Sequence, residues 1–330
     1  MVKQLTKKIS YSALNTAIRL SRKSLNHSYD CQETILLSGT ARGGTTLLAQ
    51  IISTLPNTQI LWEPLNPGNN RECEKFGFGW HHYITPDESA ELQFEYIRKL
   101  ICGEAIHTGT LYRSFFSFAD LLRSQRLAIK FANANRILGW LSRNFSNPIV
   151  LQLRHPCAVI ASQLNHQGFA KVEKRDWLPD WLLANCPEAE EVYRSEVNTL
   201  EEIRCWDWCI QTVLALEHCD FNRVHMLTYE SLITNPEEEL LELCRYLDED
   251  VPDKAMSIVK KPSSTASAGA YTQNPEQQLN RWKERLTNDQ AQRIQRLATR
   301  FGLEFYFNYD IPKSSNVLLN PDRELKIVKN

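Results

Sequence analysis

The chain alternates short, largely apolar runs with longer stretches of mixed polarity. The first run covers residues 34–37 and ends in Ser38-Gly39; others cover 59–62, 127–131, 149–153 and 224–227. Runs of four or five residues with so little polar interruption suit strands buried on both faces. Between them the apolar spacing predicts helices near 45–54, 87–107, 114–126, 134–144, 201–218, 236–247, 275–284 and 287–301. Pro56 closes the first of these, and Pro156 opens a further helix behind the run 149–153. Residues 165–200, with Trp177, Trp181 and an acidic cluster, read as irregular. Residues 260–275, rich in Ser, Thr, Ala and Gly, read as a loop. Strands alternating with helices predict an α/β domain in three layers, with a central, mainly parallel sheet. Such sheets bind ligands beyond the carboxyl ends of their strands.

Composition narrows the options. The 330 residues are 42% hydrophobic and 23% charged, enough for a large core. A formal net charge of −1 argues against nucleic acid as a partner, so any anion site must be local. The nine cysteines include no CxxC pair, which points to reduced, buried thiols and a cytoplasmic location, with no metal site. No run reaches the roughly 18 apolar residues of a membrane span. Residues 1–33 form a basic extension, and within residues 1–30 Lys3, Lys7, Lys8, Arg19, Arg22 and Lys23 stand against only Asp30. The interspersed apolar residues fit either an amphipathic helix on an anionic membrane surface or partner, or a helix packed on the domain. Residues 311–330 form a polar tail, leaving 34–310 as the main domain.

Chemistry concentrates at the ends of the predicted strands. Ser38-Gly39-Thr40-Ala41-Arg42-Gly43-Gly44-Thr45-Thr46 follows the first strand and opens a helix. Its glycines permit a tight turn that aims backbone N–H groups at an anion, and the helix terminus adds partial positive charge. The loop is P-loop-like, but Thr45 stands where a nucleoside-triphosphatase has lysine, and the cation is Arg42. A Gly-rich connector without a ligand is the plainer alternative. At the end of the run 149–153 stands Arg154, with Ser162 eight residues on, two turns into the next helix. A guanidinium and a hydroxyl so placed can share one phosphate.

These two motifs, in this order, resemble the sulfotransferase superfamily that uses 3′-phosphoadenosine 5′-phosphosulfate (PAPS), in particular its carbohydrate-type and bacterial branches. The resemblance spans about residues 34–303. It implies that Arg42, Gly43, Gly44, Thr45 and Thr46 hold the 5′-phosphosulfate and that Arg154 and Ser162 hold the 3′-phosphate. Gly43 departs from the family's Ser or Thr and loses a hydroxyl. Glu63-Pro64, after the second strand, resembles the element whose glutamate serves carbohydrate sulfotransferases as base. Glu63 would then take the acceptor proton while Arg42 stabilises the leaving phosphate. His81 and His82 are alternative bases, and His155 is too close to the phosphate anchor for that task.

Weaker matches follow. Lys130 and the pair Trp140-Leu141 fit a family lysine element, but Phe131-Ala132 replaces its Asp-Pro. Tyr229-Glu230-Ser231-Leu232 and Asn235-Pro236 fit an element in which Tyr229 touches the nucleotide. Ser263-Ser264-Thr265-Ala266-Ser267, before Asn280-Arg281-Trp282-Lys283, fits a loop that folds over the nucleotide, with Ser264, Thr265 and Arg281 closing the site and Trp282 anchoring the core. The Arg-Lys-Gly loop of cytosolic relatives is not visible. The expected reaction is sulfo transfer from PAPS, as donor co-substrate and without a metal, to a hydroxyl acceptor. A saccharide is preferred as acceptor, with a lipid-linked or small-molecule alcohol open. A P-loop kinase-like phosphotransferase is the competing reading. Residues 70–125 and 165–205 are the expected acceptor walls.

Overall fold

A computed structural model describes residues 13–21, 28–112, 114–132, 134–169, 180–186, 188–266 and 271–308. The expectations for Lys3, Lys7, Lys8, Arg22, Lys23, Trp177, Ser267 and the tail 311–330 lie outside these residues. A helix at 13–21 (α1) precedes β1 (Ile35–Gly39), α2 (Thr45–Ile52), β2 (Thr58–Trp62), α3 (Glu91–Ile101), α4 (Phe118–Arg123) and β3 (Arg126–Lys130). Then come α5 (Leu138–Asn144), β4 (Ile149–Leu153), α6 (Pro156–Leu164), α7 (Asp180–Asn185), α8 (Glu188–Glu196) and α9 (Leu200–His218). β5 (Val224–Thr228), α10 (Tyr229–Thr234), α11 (Pro236–Tyr246), α12 (Asp253–Val259), α13 (Pro275–Asn280) and α14 (Asn288–Arg300) complete the main body.

The five strands form one parallel sheet in the order β2-β3-β1-β4-β5. Strand side chains alternate between two cores. Ile35, Leu37, Ile60, Val150 and Leu227 face the layer containing α2, α11 and α12. Leu36, Leu61, Ile129, Leu151 and Met226 face the layer of α3, α5, α6, α9 and α14. This is the expected α/β/α arrangement, with β1 at the switch point between β3 and β4.

Three expectations need correction. Within 165–200, α7 and α8 are helical: Glu188, Glu190 and Glu191 sit in the first turn of α8, where acids complement the helix dipole. Cys31 and Cys102 form a disulfide, so not all thiols are reduced; the other seven cysteines are free and mostly buried. The predicted helix 134–144 begins as a 3-10 turn at Ala134–Ile137. In α1, Ile18 is buried and Leu14 packs on the core, while Leu20 stays exposed. Among the described residues no helix is long and apolar enough to cross a membrane.

Candidate active site

Every strand of the sheet delivers one candidate side chain at its carboxyl end: Arg42 follows β1, Glu63 follows β2, Lys130 ends β3, Arg154 follows β4 and Tyr229 follows β5. All five line one cleft of about 860 Å³. The register explains part of this convergence. Trp62 lies opposite Lys130, and the N–H of Glu63 donates to the Lys130 carbonyl (2.8 Å).

The loop after β1 is shaped to present N–H groups. Gly44, the N-cap of α2, has φ 95°, and the Cβ of any other residue there would lie 2.6 Å from the Tyr229 ring. Having no side chain, Gly44 leaves the first N–H groups of α2 without a cap. Gly43 donates its own N–H to the Thr40 carbonyl (2.9 Å). A Cβ at Gly43 would meet that carbonyl and the Thr40 hydroxyl at 2.8 Å, which explains the absence of the family's Ser or Thr. Loop carbonyls are held from outside: Gln163 Nε2 donates to that of Ala41 (2.9 Å) and Arg154 Nη1 to that of Arg42 (3.2 Å). Arg42 has a left-handed backbone, φ 69°, and its Nε donates to Ser162 Oγ (3.0 Å). Burial, and then the nearby Arg154, lower its pKa.

Arg154 lies with its guanidinium 4.0 Å from the centroid of the Tyr229 ring, and its buried Nε has no hydrogen-bond partner among the described residues. The buried Nε of Arg281, on the same cleft, is in the same condition. Unpaired buried donors of this kind suit an incoming anion. Tyr229 accepts from Gln278 Nε2 (3.1 Å). Thr265 Oγ1 donates to Thr46 Oγ1 (3.1 Å), so the Ser/Thr loop does fold onto the phosphate loop. The Ser264 side chain does not reach the cleft wall; its N–H donates to Gln50 Oε1 (3.1 Å).

Glu63 also has a left-handed backbone, φ 43°, a strained conformation for a non-glycine residue. Its Oε1 is ion-paired with Lys130 and its Oε2 accepts from Asn66 Nδ2 (3.0 Å) and Asn69 Nδ2 (3.3 Å). Lys130 is 2% exposed and sits 4.0 Å from the Trp62 ring centroid. Burial lowers its pKa, and Glu63 opposes that shift.

His81 lines the cleft, whereas His82 turns edge-on to Phe78, 5.0 Å between centroids. His155 is removed from proton transfer. Its Nδ1 accepts from the Cys157 N–H (3.2 Å), and its ring stacks on Trp282 at 5.2 Å. Burial, then Arg154, push its pKa down to about 3. Trp282 is thus both a partial core contact and a cleft wall, contrary to a purely core role.

Sequence reasoning missed a second polar group on the cleft. Arg136, Arg204 and Asp207 are 5%, 6% and 8% exposed and line it from the layer opposite α2. Asp207 is ion-paired with Arg136 and accepts from Gln211 Nε2 (2.8 Å), and His81 Nδ1 lies 4.0 Å from its Oδ1. Arg204 donates to the Phe169 carbonyl (2.7 Å). A faint trace of it is in the sequence: Arg204, Asp207 and Gln211 fall at i, i+3 and i+7 of α9, on one face, among buried Trp, Cys and Ile residues.

Among known proteins, a family model described as the Sulfotransferase family matches residues 34–253. No curated protein sequence matches. Solved structures that resemble the chain include the sulfotransferase domain from the curacin biosynthetic pathway: 16% identity, 84% of this chain and 98% of that one covered, TM-score 0.44. The sulfotransferase domain of the Synechococcus PCC 7002 olefin synthase shows 17% identity over 84% and 95%, TM-score 0.42. Mouse sulfotransferase SULT7A1, complexed with PAP, shows 15% identity over 80% and 82%, TM-score 0.40. Matched by that family model over two thirds of its length, the chain belongs to the sulfotransferase family, and its activity is the transfer of a sulfo group.

Proposed function

We propose that the chain transfers the sulfo group of PAPS to a saccharide hydroxyl. The observation that carries the donor reading is the pair of anion stations at the ends of β1 and β4. One is the loop 42–46 with the uncapped start of α2, and the other is Arg154, with Ser162 on the same cleft and its hydroxyl accepting from Arg42. A donor with phosphates at both 3′ and 5′ positions needs two such stations, and a triphosphate with its metal does not. Thr45 and Thr46 add hydroxyl donors to the first station.

In this reading the acceptor oxygen attacks sulfur as the bond from sulfur to the 5′-phosphate oxygen breaks. The acceptor proton passes to Glu63. A carboxylate has about four acceptor positions, so the bonds from Lys130, Asn66 and Asn69 fix its orientation and leave one for that proton. Arg42 and the loop N–H groups offset the charge that develops on the departing bisphosphate. Support for a saccharide comes from Trp80, 54% exposed at the cleft, with Tyr112, Asn66 and Asn69 on the same wall. An open aromatic face with amides beside it suits a sugar ring.

The test is a titration with 3′,5′-adenosine bisphosphate beside ATP-Mg²⁺. Tight binding of the bisphosphate, weakened by at least about tenfold in Arg154→Ala, is expected. Preference for ATP-Mg²⁺, or no binding of either, would sink the donor reading.

A further inference from the structure

We propose that Tyr96 and Asn70 are positioning residues for sulfo transfer: they hold the backbone at Glu63-Pro64 in the strained shape that presents the Glu63 carboxylate to the cleft. The inference rests on the reading of Glu63 as the proton acceptor and adds the groups that keep it in place. It starts from a conformation that needs a cause. Glu63 has φ 43° and precedes a proline, a position that favours extended backbone. A residue stays in such a region only where its surroundings leave it no alternative.

The chain is pinned on both sides of Glu63. Its N–H donates to the Lys130 carbonyl (2.8 Å), and its carbonyl accepts from the Asn66 N–H (3.0 Å). One residue on, the Pro64 carbonyl accepts from Asn70 Nδ2 (2.7 Å) and, at longer range, from the Tyr96 hydroxyl (3.4 Å). Asn70 Nδ2 donates its second proton to the Tyr96 oxygen (2.6 Å), so the three groups close a triangle. Both side chains are buried. Turning Glu63 to an extended backbone would swing the Pro64 carbonyl out of this triangle and leave buried donors unpaired. Burial raises the pKa of Tyr96, so its hydroxyl keeps its proton.

The same anchor reaches the carboxylate by a second route. Asn66 and Asn69 donate to Glu63 Oε2, and the N–H groups of Asn69 and Asn70 both donate to the Asn66 carbonyl (3.0 and 2.8 Å). Asn70 thus ends the turn that carries both amides. Its Oδ1 accepts from the Glu72 N–H (3.1 Å) at the start of the 3-10 helix Arg71–Phe76. Tyr96 is in turn held by α3. Its ring stacks on Phe76 at 4.5 Å, and the end of α3 is tied to the root of β1. The ties there are the bond from Thr34 Oγ1 to the Ile101 carbonyl (2.8 Å) and the disulfide Cys31–Cys102. Neither Tyr96 nor Asn70 lines the cleft, so both act on the reaction through Glu63.

The experiment measures release of 3′,5′-adenosine bisphosphate from PAPS by the full chain, with lactose as the acceptor probe, for Tyr96→Phe, Glu63→Gln and the double variant. Tyr96→Phe keeps the ring and removes the hydroxyl; kcat should fall about tenfold with the KM for PAPS unchanged. In the Glu63→Gln chain the same substitution should change kcat by less than about twofold, because no carboxylate remains to be positioned. Tyr29→Phe removes another buried hydroxyl, bonded to the Leu121 carbonyl (2.8 Å) in a pair that does not line the cleft, and should leave kcat unchanged. Full kcat in Tyr96→Phe, a fall that persists in the Glu63→Gln chain, or equal falls in Tyr96→Phe and Tyr29→Phe overturns the inference and leaves Glu63 as proton acceptor. Full activity in Glu63→Gln, or no release by the unaltered chain, overturns the reading of Glu63 and the inference with it.

Discussion

Arg42 Nε donates to Ser162 Oγ at 3.0 Å, joining the loop after β1 to the second turn of α6. The link ties the two anion stations together through one guanidinium, while Arg154 holds the backbone carbonyl of the same residue. The stations should then respond to mutation as a unit. In a double-mutant cycle of Arg42→Ala and Ser162→Ala, the losses in bisphosphate affinity should fall short of additive by about 1–2 kcal/mol. Calorimetric Kd values that simply add would show that the bond carries no coupling.

Glu63 is bound by three donors, yet none of its partners belongs to the phosphate stations. Glu63→Gln should therefore lower kcat by roughly 10²- to 10⁴-fold with little change in bisphosphate Kd. Rates of sulfo transfer and a nucleotide titration on the same preparation decide this. A parallel fall in nucleotide affinity would place Glu63 on the donor instead of the acceptor proton.

The loop glycines differ in what a side chain would meet. Gly44→Ala forces φ 95° on alanine and drives its Cβ to 2.6 Å from the Tyr229 ring. Gly302→Ala also has a positive φ, 65°, but its Cβ would meet nothing within 4 Å. Urea unfolding should give a loss of about 1 kcal/mol for Gly302→Ala and at least about twice that for Gly44→Ala, which should also lose bisphosphate binding. Equal losses would mean that the contact with Tyr229 relaxes freely.

His155 provides a pH dependence of stability. Its pKa lies at about 3 in the folded protein, against an ordinary value of 6.5. The unfolded chain therefore takes up a proton that the folded chain refuses. The contribution is complete above about pH 6.5 and is lost as the pH falls towards 3, with about 2 kcal/mol gone between pH 7 and 5. His155→Asn keeps an acceptor for the Cys157 N–H, and its unfolding free energy should change less over that interval. An equal slope in both proteins would assign the acid limb to other groups.

Much of this site was legible in the sequence because a doubly covered parallel strand is a nearly unbroken apolar run, and its carboxyl end is where ligands bind. Arg42, Glu63, Lys130, Arg154 and Tyr229 all follow or end such runs. Arg136 and Arg204 were hidden by their settings, a 3-10 turn and a helix crowded with Trp, Cys and Ile, where a charge reads as an interruption of the core. The partners Cys31 and Cys102 are separated by 71 residues, and no local spacing links them. The acidic run of α8 reads as solvated chain until its position at a helix start is known. His155 and Trp282 meet only because the chain returns to the end of β4 after α13.

The strand order has a consequence for how the chain is made. β1 emerges from synthesis before its partners on either side, β3 and β4, with Leu36 pairing with both Ile129 and Ile149. A nascent chain that has not yet reached residue 149 exposes an unpaired edge of β1, a template for association with other chains. It holds Arg42, Glu63 and Lys130, but neither Arg154 nor Ser162. An anion that needs both stations can stabilise only a chain that has completed this half of its sheet, so such a ligand discriminates by mass action between finished molecules and truncated ones.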